Sequence, residues 1–377
     1  MTSTAHERAT IAALAGFADM TTARLRSLRS GRTADEAYAL AAGMVEPTAA
    51  LSHEFRRSPR LQDRWRRSAA SITPSSMAAR CGDSGIEVVL PDDPHFPTPL
   101  HGDPRRPEVL FVRGSLDSLD ARRVGIVGTR NPTRRGAQTA ARFGHELAAA
   151  GVCIVSGLAL GVDGAAHRGA LAVEGARPVA VVANGLDQPY PRRHADLWAE
   201  IAERGALLSE WPPGVIPEPY RFPQRNRILA ALSELVVVIE SRERGGSLIT
   251  AHEAAERGID VFAVPGSIDQ RSSAGTNALL EVGAAPASSS DTLLVALGLD
   301  HRRARRTAFD SRPRPHGVEA DALERCTIRP QSVESLSMEL SLDLAGAAMT
   351  LARLERSGWV AESGGWFEPV DEYARFV

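Results

Sequence analysis

The chain has 377 residues, 43% hydrophobic and 24% charged, with a net charge of −2. That balance supports a sizeable core and excludes a polycation that coats nucleic acid by bulk attraction; any hold on a polyanion must come from a local patch. Lysine is absent and arginine supplies all 44 strongly basic side chains, which excludes Schiff-base lysines and the lysine of a Walker-type phosphate loop.

Residues 1–81 form an expected small helical domain. It opens on MTSTAHERAT, which has neither the basic nor the apolar region of a signal peptide. Ala12 to Leu14 and Leu25 to Leu28 carry apolar side chains at helical spacing, and Ala34 to Ala42 is a further helical run. Arg56, Arg57, Arg60, Arg64, Arg66 and Arg67 give the end of this region a basic face. Solvent explains that face as well as DNA does. Residues 82 to 116 are rich in proline and contain two short β-like runs, Ile86 to Leu90 and Val109 to Val112. Both are expected to be edge strands or extended segments, because proline cannot donate to a ladder.

From Arg123 to Leu299 strands and helices alternate. The β-rich runs are Val124 to Val127, Val152 to Val155, Pro178 to Ala183, Ala206 to Leu208, Leu235 to Ile239 and Val261 to Val264. Helical stretches between them close on glycine at 151, 175, 205, 258 and 283, where a left-handed residue ends a helix. Repeated strand, helix, glycine, strand predicts a parallel sheet with helices on both faces, doubly wound by right-handed crossovers. The fold class is therefore α/β, with a Rossmann-like central domain over 82–299. Residues 300–317, DHRRARRTAFDSRPRPHG, lack periodicity and are expected to be a linker. Over 318–377, helices at Val318 to Cys326, Ser332 to Leu340 and Leu342 to Arg356 precede SGWVAESGGWFEPV. Three helices and a hairpin predict a winged helix.

Cys81, Cys153 and Cys326 are far apart and lack CxxC spacing, so neither a disulfide framework nor a zinc site is expected. No run approaches the roughly 18 to 20 apolar residues of a membrane span. A reducing, cytoplasmic compartment is expected, with no membrane partner.

Ligands of open parallel sheets lie beyond the carboxyl ends of the strands. Here those loops begin with Gly128-Thr129-Arg130 and with Ser156-Gly157-Leu158-Ala159-Leu160-Gly161-Val162-Asp163. Both lead into helices, so glycine backbone, helix amides and an arginine fork converge on a phosphate-bearing ligand. No GxGxxG opens the first helix, so a dinucleotide loses its main support. Asp163 and His167 are four residues apart on one helical face, where a capping aspartate and a buried histidine are expected in preference to a catalytic pair. Further loops run Asn184 to His194, Ser209 to Gly214, Tyr220 to Arg227, Arg244 to Ala251 and Gly275 to Asn277. Arginines interleaved with Tyr190, Trp211, Tyr220 and Phe222 suit a strand whose bases stack while its phosphates are neutralised.

In order, the motifs VGTR, SGLALGVDGAAH, NGLDQPYP, SEWPPG, FPQRNRILA, GSLITA and VFAVPGSI resemble the DNA-processing protein A family. The likeness covers about Gly82 to Leu299. A looser one links the N-terminus to the family's SAM-like domain, with Gly16-Phe17-Ala18-Asp19-Met20 in place of a glycine-rich hairpin. Ala183, Gln224 and Arg135 depart from the family pattern, which commonly has glycine, a basic residue and an aromatic there. The resemblance implies binding and protection of single-stranded DNA, delivery of RecA recombinase onto it in natural transformation or recombination, and a homodimer. It assigns strand contact to Arg130, Ser156, Gly157, Arg192, Arg225, Asn226 and Arg227, with Gly128, Gly185, Tyr190, Phe222, Ser247 and Asn277 completing the site. No cofactor, metal or catalytic residue is expected.

Two alternatives stand beside this reading. Arg244 to Glu253 partly echoes the PGGxGTxxE loop of nucleotide-cleaving phosphoribohydrolases, but lacks its proline. A duplex-reading regulator would use the winged helix, whose third helix holds Arg353 and Arg356 only at its far end. Recognition helices present base-reading side chains near their start, so protein contact is the stronger expectation for that helix.

Overall fold

A computed structural model describes residues 4–299 and 312–370. Positions 300–311, most of the expected linker, lie outside the described residues. The chain divides into two compact units, Met1–Phe309 and Asp310–Val377.

The first unit opens with six helices: α1 (Ala5–Ala15), α2 (Thr22–Arg29), α3 (Ala34–Ala42), α4 (Ala49–Arg57), α5 (Leu61–Ser71) and α6 (Pro74–Asp83). Local chemistry sets their limits. Thr33 and Glu36 form a reciprocal capping box on α3, and Thr73 caps α6 ahead of Pro74. Ile11, Leu14, Leu25, Leu28 and Trp65 bury their side chains in a core that also contains Phe111, Ala180 and Leu207 of the sheet. Ion pairs add to this packing: Arg8 binds Asp93 at 2.9 Å, and Arg26 and Arg29 both grip the buried Glu108.

The sheet and its helices follow in the order β1 (Glu87–Val89), α7 (Thr98–His101), β2 (Leu110–Gly114), β3 (Arg123–Val127), α8 (Arg134–Ala149), β4 (Cys153–Ser156), α9 (Val162–Leu171), β5 (Val179–Val182), α10 (Ala195–Arg204), β6 (Ala206–Ser209), α11 (Arg221–Leu232), β7 (Leu235–Val238), α12 (Gly246–Ala255), β8 (Asp260–Ala263), α13 (Ala274–Glu281), β9 (Ala285–Pro286) and α14 (Ser290–Ala296). The nine strands lie in the order β1-β2-β6-β5-β4-β3-β7-β8-β9. Strands β3 to β9 run parallel where they pair; β2 is antiparallel to both β1 and β6. The doubly wound α/β class is thus as expected from the alternating pattern. Of the two early runs, expected as edge strands or extended segments, β1 holds the edge. β2 lies one strand inward, because Pro104 and Pro107 stop short of it and leave its ladder donors intact.

Strands β4 to β7 are buried at every residue, as a sheet covered on both faces requires. Separate apolar clusters fill the two faces of the β3–β7 region. Helices α8 and α9 approach closely through Gly144 and Gly169, where a Cβ would strike the carbonyls of Ala166 and Ala141 respectively. From β3 the chain winds outward through β4, β5 and β6, then returns to place β7 on the other side of β3. The switch in strand order therefore falls between β3 and β7.

The second unit holds α15 (Val318–Ile328), α16 (Val333–Leu340), α17 (Leu344–Arg356) and an antiparallel hairpin of β10 (Val360–Ser363) and β11 (Trp366–Pro369). The hairpin turns on Gly364 and Gly365, both at positive φ. Ala322, Cys326, Leu336, Ala347, Leu351, Leu354 and Val360 form its core. Three helices followed by a hairpin are the elements expected there. Among the described residues no helix is long and apolar enough to cross a membrane. All three cysteines are buried and free.

Candidate functional site

A cleft of about 270 Å³ opens at the carboxyl ends of β3 and β7. Its walls come from four segments: Val127–Arg130, Ala159 with Asp163, the Phe222–Leu229 stretch of α11, and the Arg242–Thr250 loop and first turns of α12.

Glu240, at the end of β7, ties the first wall to the last. Its carboxylate accepts from the Thr133 amide at 2.8 Å and hydroxyl at 2.5 Å, and its carbonyl accepts from the Thr129 amide at 2.8 Å. Gly136 makes room, since a Cβ there would fall on that carboxylate. The turn bearing Arg130 is thus locked across the switch point.

The second wall is the Gly157–Ala159 turn. Asp163 is buried in the first turn of α9, and its carboxylate accepts from the amides of Gly157 (3.1 Å) and Ala159 (3.4 Å). Gly161 is the N-cap, so Asp163 anchors the loop and is not the helix cap expected from its spacing. Burial pushes the Asp163 carboxyl up, against the opposing pull of Arg225, the two amides and Arg130. His167 is fully buried and held neutral, its pKa lowered to about 3 by burial and then by His194 and Arg225.

Helix α11 presents Phe222, Arg225 and Asn226 to the cleft. The Arg130 guanidinium lies 4.7 Å from the Phe222 ring centroid, and the Tyr190 ring lies 5.9 Å away on a tilted plane. Arg225 is 5% exposed; it donates to Gly157 O at 2.7 Å, to Val181 O and to Asn226 Oδ1 at 3.2 Å. Burial lowers its pKa to about 10 despite Asp163.

The fourth wall carries Arg242 and Arg244, both exposed, ahead of α12. Gly245 is the N-cap of α12 and supplies no side-chain cap, so the helix start retains amides for an anion. Ser247 Oγ donates to Ser241 Oγ at 2.9 Å. Among the described residues, Arg130, Arg242 and Arg244 have no carboxylate within 4.0 Å. With exposed Glu243 in the same loop, the rim keeps a cationic excess.

Of the residues expected in a site, the cleft brings together Gly128, Arg130, Phe222, Arg225, Asn226 and Ser247, with Tyr190 stacked at its margin. Arg192 is exposed, two residues beyond Tyr190 in the short 3-10 turn Arg192–His194. The others do not line the cleft directly. Ser156 is fully buried and its hydroxyl donates to Ile126 O at 2.6 Å, so it links strands. Gly157 admits the Arg225 guanidinium, whose carbon a Cβ would approach to 2.6 Å. Gly185 is buried, with its amide on Val215 O at 2.8 Å. Arg227 pairs with Glu210 at 2.5 Å on the side of α11 facing α2. Asn277 clamps Gly266 through both backbone groups, at 3.2 and 3.1 Å. Arg242 was not singled out from sequence; its signal is two arginines ahead of a glycine pair at a strand end.

Fold and site together define a doubly wound α/β protein with a cationic, aromatic-edged cleft at its switch point. Residues 87–298 match the family model described as DNA recombination-mediator protein A, and the chain belongs to that family. It is 41% identical over 203 residues to DNA processing protein DprA of Bacillus subtilis, covering 54% of this chain and 68% of that one. It is 43% identical over 198 residues to Protein Smf of Escherichia coli, covering 52% of this chain and 53% of the relative, so the match spans about half of the latter. Among solved structures, the DprA of Streptococcus pneumoniae superposes with a TM-score of 0.62 at 30% identity, over 78% of this chain and 98% of that one. A Helicobacter pylori DprA structure, described as revealing a single-stranded DNA binding mode, superposes with a TM-score of 0.52 at 31% identity, over 57% and 96% respectively.

Proposed function

We propose that this chain is a single-stranded DNA-binding protein that protects such strands and delivers RecA recombinase onto them in transformation or recombination, acting in the cytoplasm as a homodimer. One observation carries the reading: Arg130, Arg242 and Arg244, without carboxylate partners among the described residues, surround a cleft edged by Phe222 and Tyr190. The arginines and the start of α12 neutralise phosphates, and the ring faces stack bases. The mode described for the Helicobacter pylori relative supports the same ligand.

Turnover has less support. In the phosphoribohydrolase echo the terminal glutamate is Glu253, which is engaged by Arg105 and by Arg257 at 2.7 Å and does not line the cleft. A duplex reader is likewise poorly served by α17, where Leu344 and Met349 are exposed.

The test is a titration of matched single- and double-stranded oligonucleotides, without metal or nucleotide, at several salt concentrations. Single strands are expected to bind more tightly, with affinity falling steeply as salt rises. Equal affinity for both, or a flat salt response, overturns the reading.

A further inference from the structure

We propose that Arg225 is a positioning residue of the cleft: it builds the wall at Gly157–Ala159 and leaves phosphate binding to the exposed arginines. This rests on the reading of the cleft as a single-strand site, and it departs from the contact role that the family resemblance implies for Arg225.

The geometry is that of a buried strut. One guanidinium nitrogen donates to Gly157 O at 2.7 Å and also to Val181 O, inside β5, while Nε donates to Asn226 Oδ1. Two carbonyls, one just past β4 and one within β5, are thereby joined through a side chain from α11. Gly157 must be glycine for this to happen, because a side chain would occupy the guanidinium position.

The turn so held is one the chain resists. Leu158 has φ of 54°, a left-handed conformation that a non-glycine residue keeps only when its surroundings impose it. Three side chains impose it here. Asp163 takes the amides on either side, Arg225 takes the carbonyl before, and His194 Nδ1 lies 3.1 Å from the Leu158 carbonyl itself. His194 reaches that carbonyl because Gly164 has no side chain to block its ring. His194 also ends the turn that bears Arg192 and Arg193. The wall and the exposed basic turn are therefore fixed to each other. Among the described residues, Arg130, Arg242 and Arg244 make no comparable use of their donors.

Phosphate contact and positioning differ in salt dependence. Each phosphate neutralised adds about 0.7 to the slope of log affinity against log salt for a single strand. A strut that never meets phosphate contributes affinity through pre-organisation and adds nothing to that slope. The experiment measures binding of a fluorescein-labelled oligothymidylate across a salt series for the full chain and for R225Q, R225K, D163A and R225Q/D163A, with folding checked by circular dichroism. R225Q and D163A are expected to weaken binding about tenfold with the slope unchanged. R225K should not rescue, since an ammonium on a stem one atom shorter lacks the Nε donor to Asn226 and falls short of the nitrogen position that serves both carbonyls. The double variant should bind no more weakly than the worse single one, because both act on one turn.

A slope reduced by about 0.7 in R225Q and restored in R225K would make Arg225 a phosphate ligand. Unchanged affinity in a folded R225Q would remove it from the site. Should R225Q and R225K fail to fold, D163A decides, since it removes the acceptor that anchors both amides of the same turn while keeping Arg225; unchanged affinity there also overturns the proposal. Failure of the underlying reading looks different: the unmodified chain itself would bind weakly or without salt dependence.

Discussion

Arg130→Ala removes a cation that is exposed, lacks a carboxylate partner among the described residues and projects from a turn locked by Glu240. Within the fold it contributes one cation–π contact, 4.7 Å above Phe222, worth about 0.5 to 1 kcal/mol at an exposed site. It also repels the buried Arg225, so its loss relieves some strain between like charges. Thermal stability should therefore change little. Binding should change much more: a charge-assisted hydrogen bond to phosphate contributes roughly 1.5 to 3 kcal/mol, or about 10- to 150-fold in affinity. The salt slope should fall by about 0.7, one phosphate fewer. Fluorescence anisotropy at four or more salt concentrations reads both quantities from one variant. A folded R130A with affinity within about twofold of the parent and an unaltered slope would refute the argument.

Two other outcomes are expected. Phe222→Ala should cost roughly 1 to 3 kcal/mol of affinity by removing a stacking face, and the loss should persist at high salt, where screening weakens the electrostatic part; a deficit that vanishes there would assign Phe222 to packing under Arg130. His167, neutral in the fold with its pKa lowered to about 3, ties stability to pH. Its folded pKa is below the unfolded value near 6.5, so the unfolded chain binds the extra proton, and stability present above pH 6.5 is lost as pH falls. His194 and His145 shift in the same direction, so the contribution of His167 is the difference from His167→Gln. That difference should reach about 2 kcal/mol by pH 5, read from urea denaturation at a series of pH values; parallel pH curves for the two proteins would contradict it.

Six of the seven parallel strands were legible as short apolar runs, most of them β-branched and four of them preceded by a helix-closing glycine, and burial on both faces demands that composition. β9 was not legible. It has two residues, Ala285–Pro286, too few for any periodicity. The aromatic and arginine content of the cleft was equally visible, since loops at strand ends meet wherever strands pair side by side. The division of labour among the arginines was not. Arg225 and Arg227 are two apart on α11, hence on different faces of it. One reaches under the Gly157 turn and the other pairs with Glu210 toward α2, while Arg242 and Arg244 stay exposed.

Local pattern thus determined the order of strands and helices along the chain, and with it the edge of the sheet where the cleft lies, because periodicity and glycine placement act within a few residues. Only tertiary structure decided which guanidinium groups face solvent and which are consumed by backbone carbonyls. That outcome depends on strand order and helix rotation, which bring Gly157, Val181 and Arg225 together from distant parts of the chain.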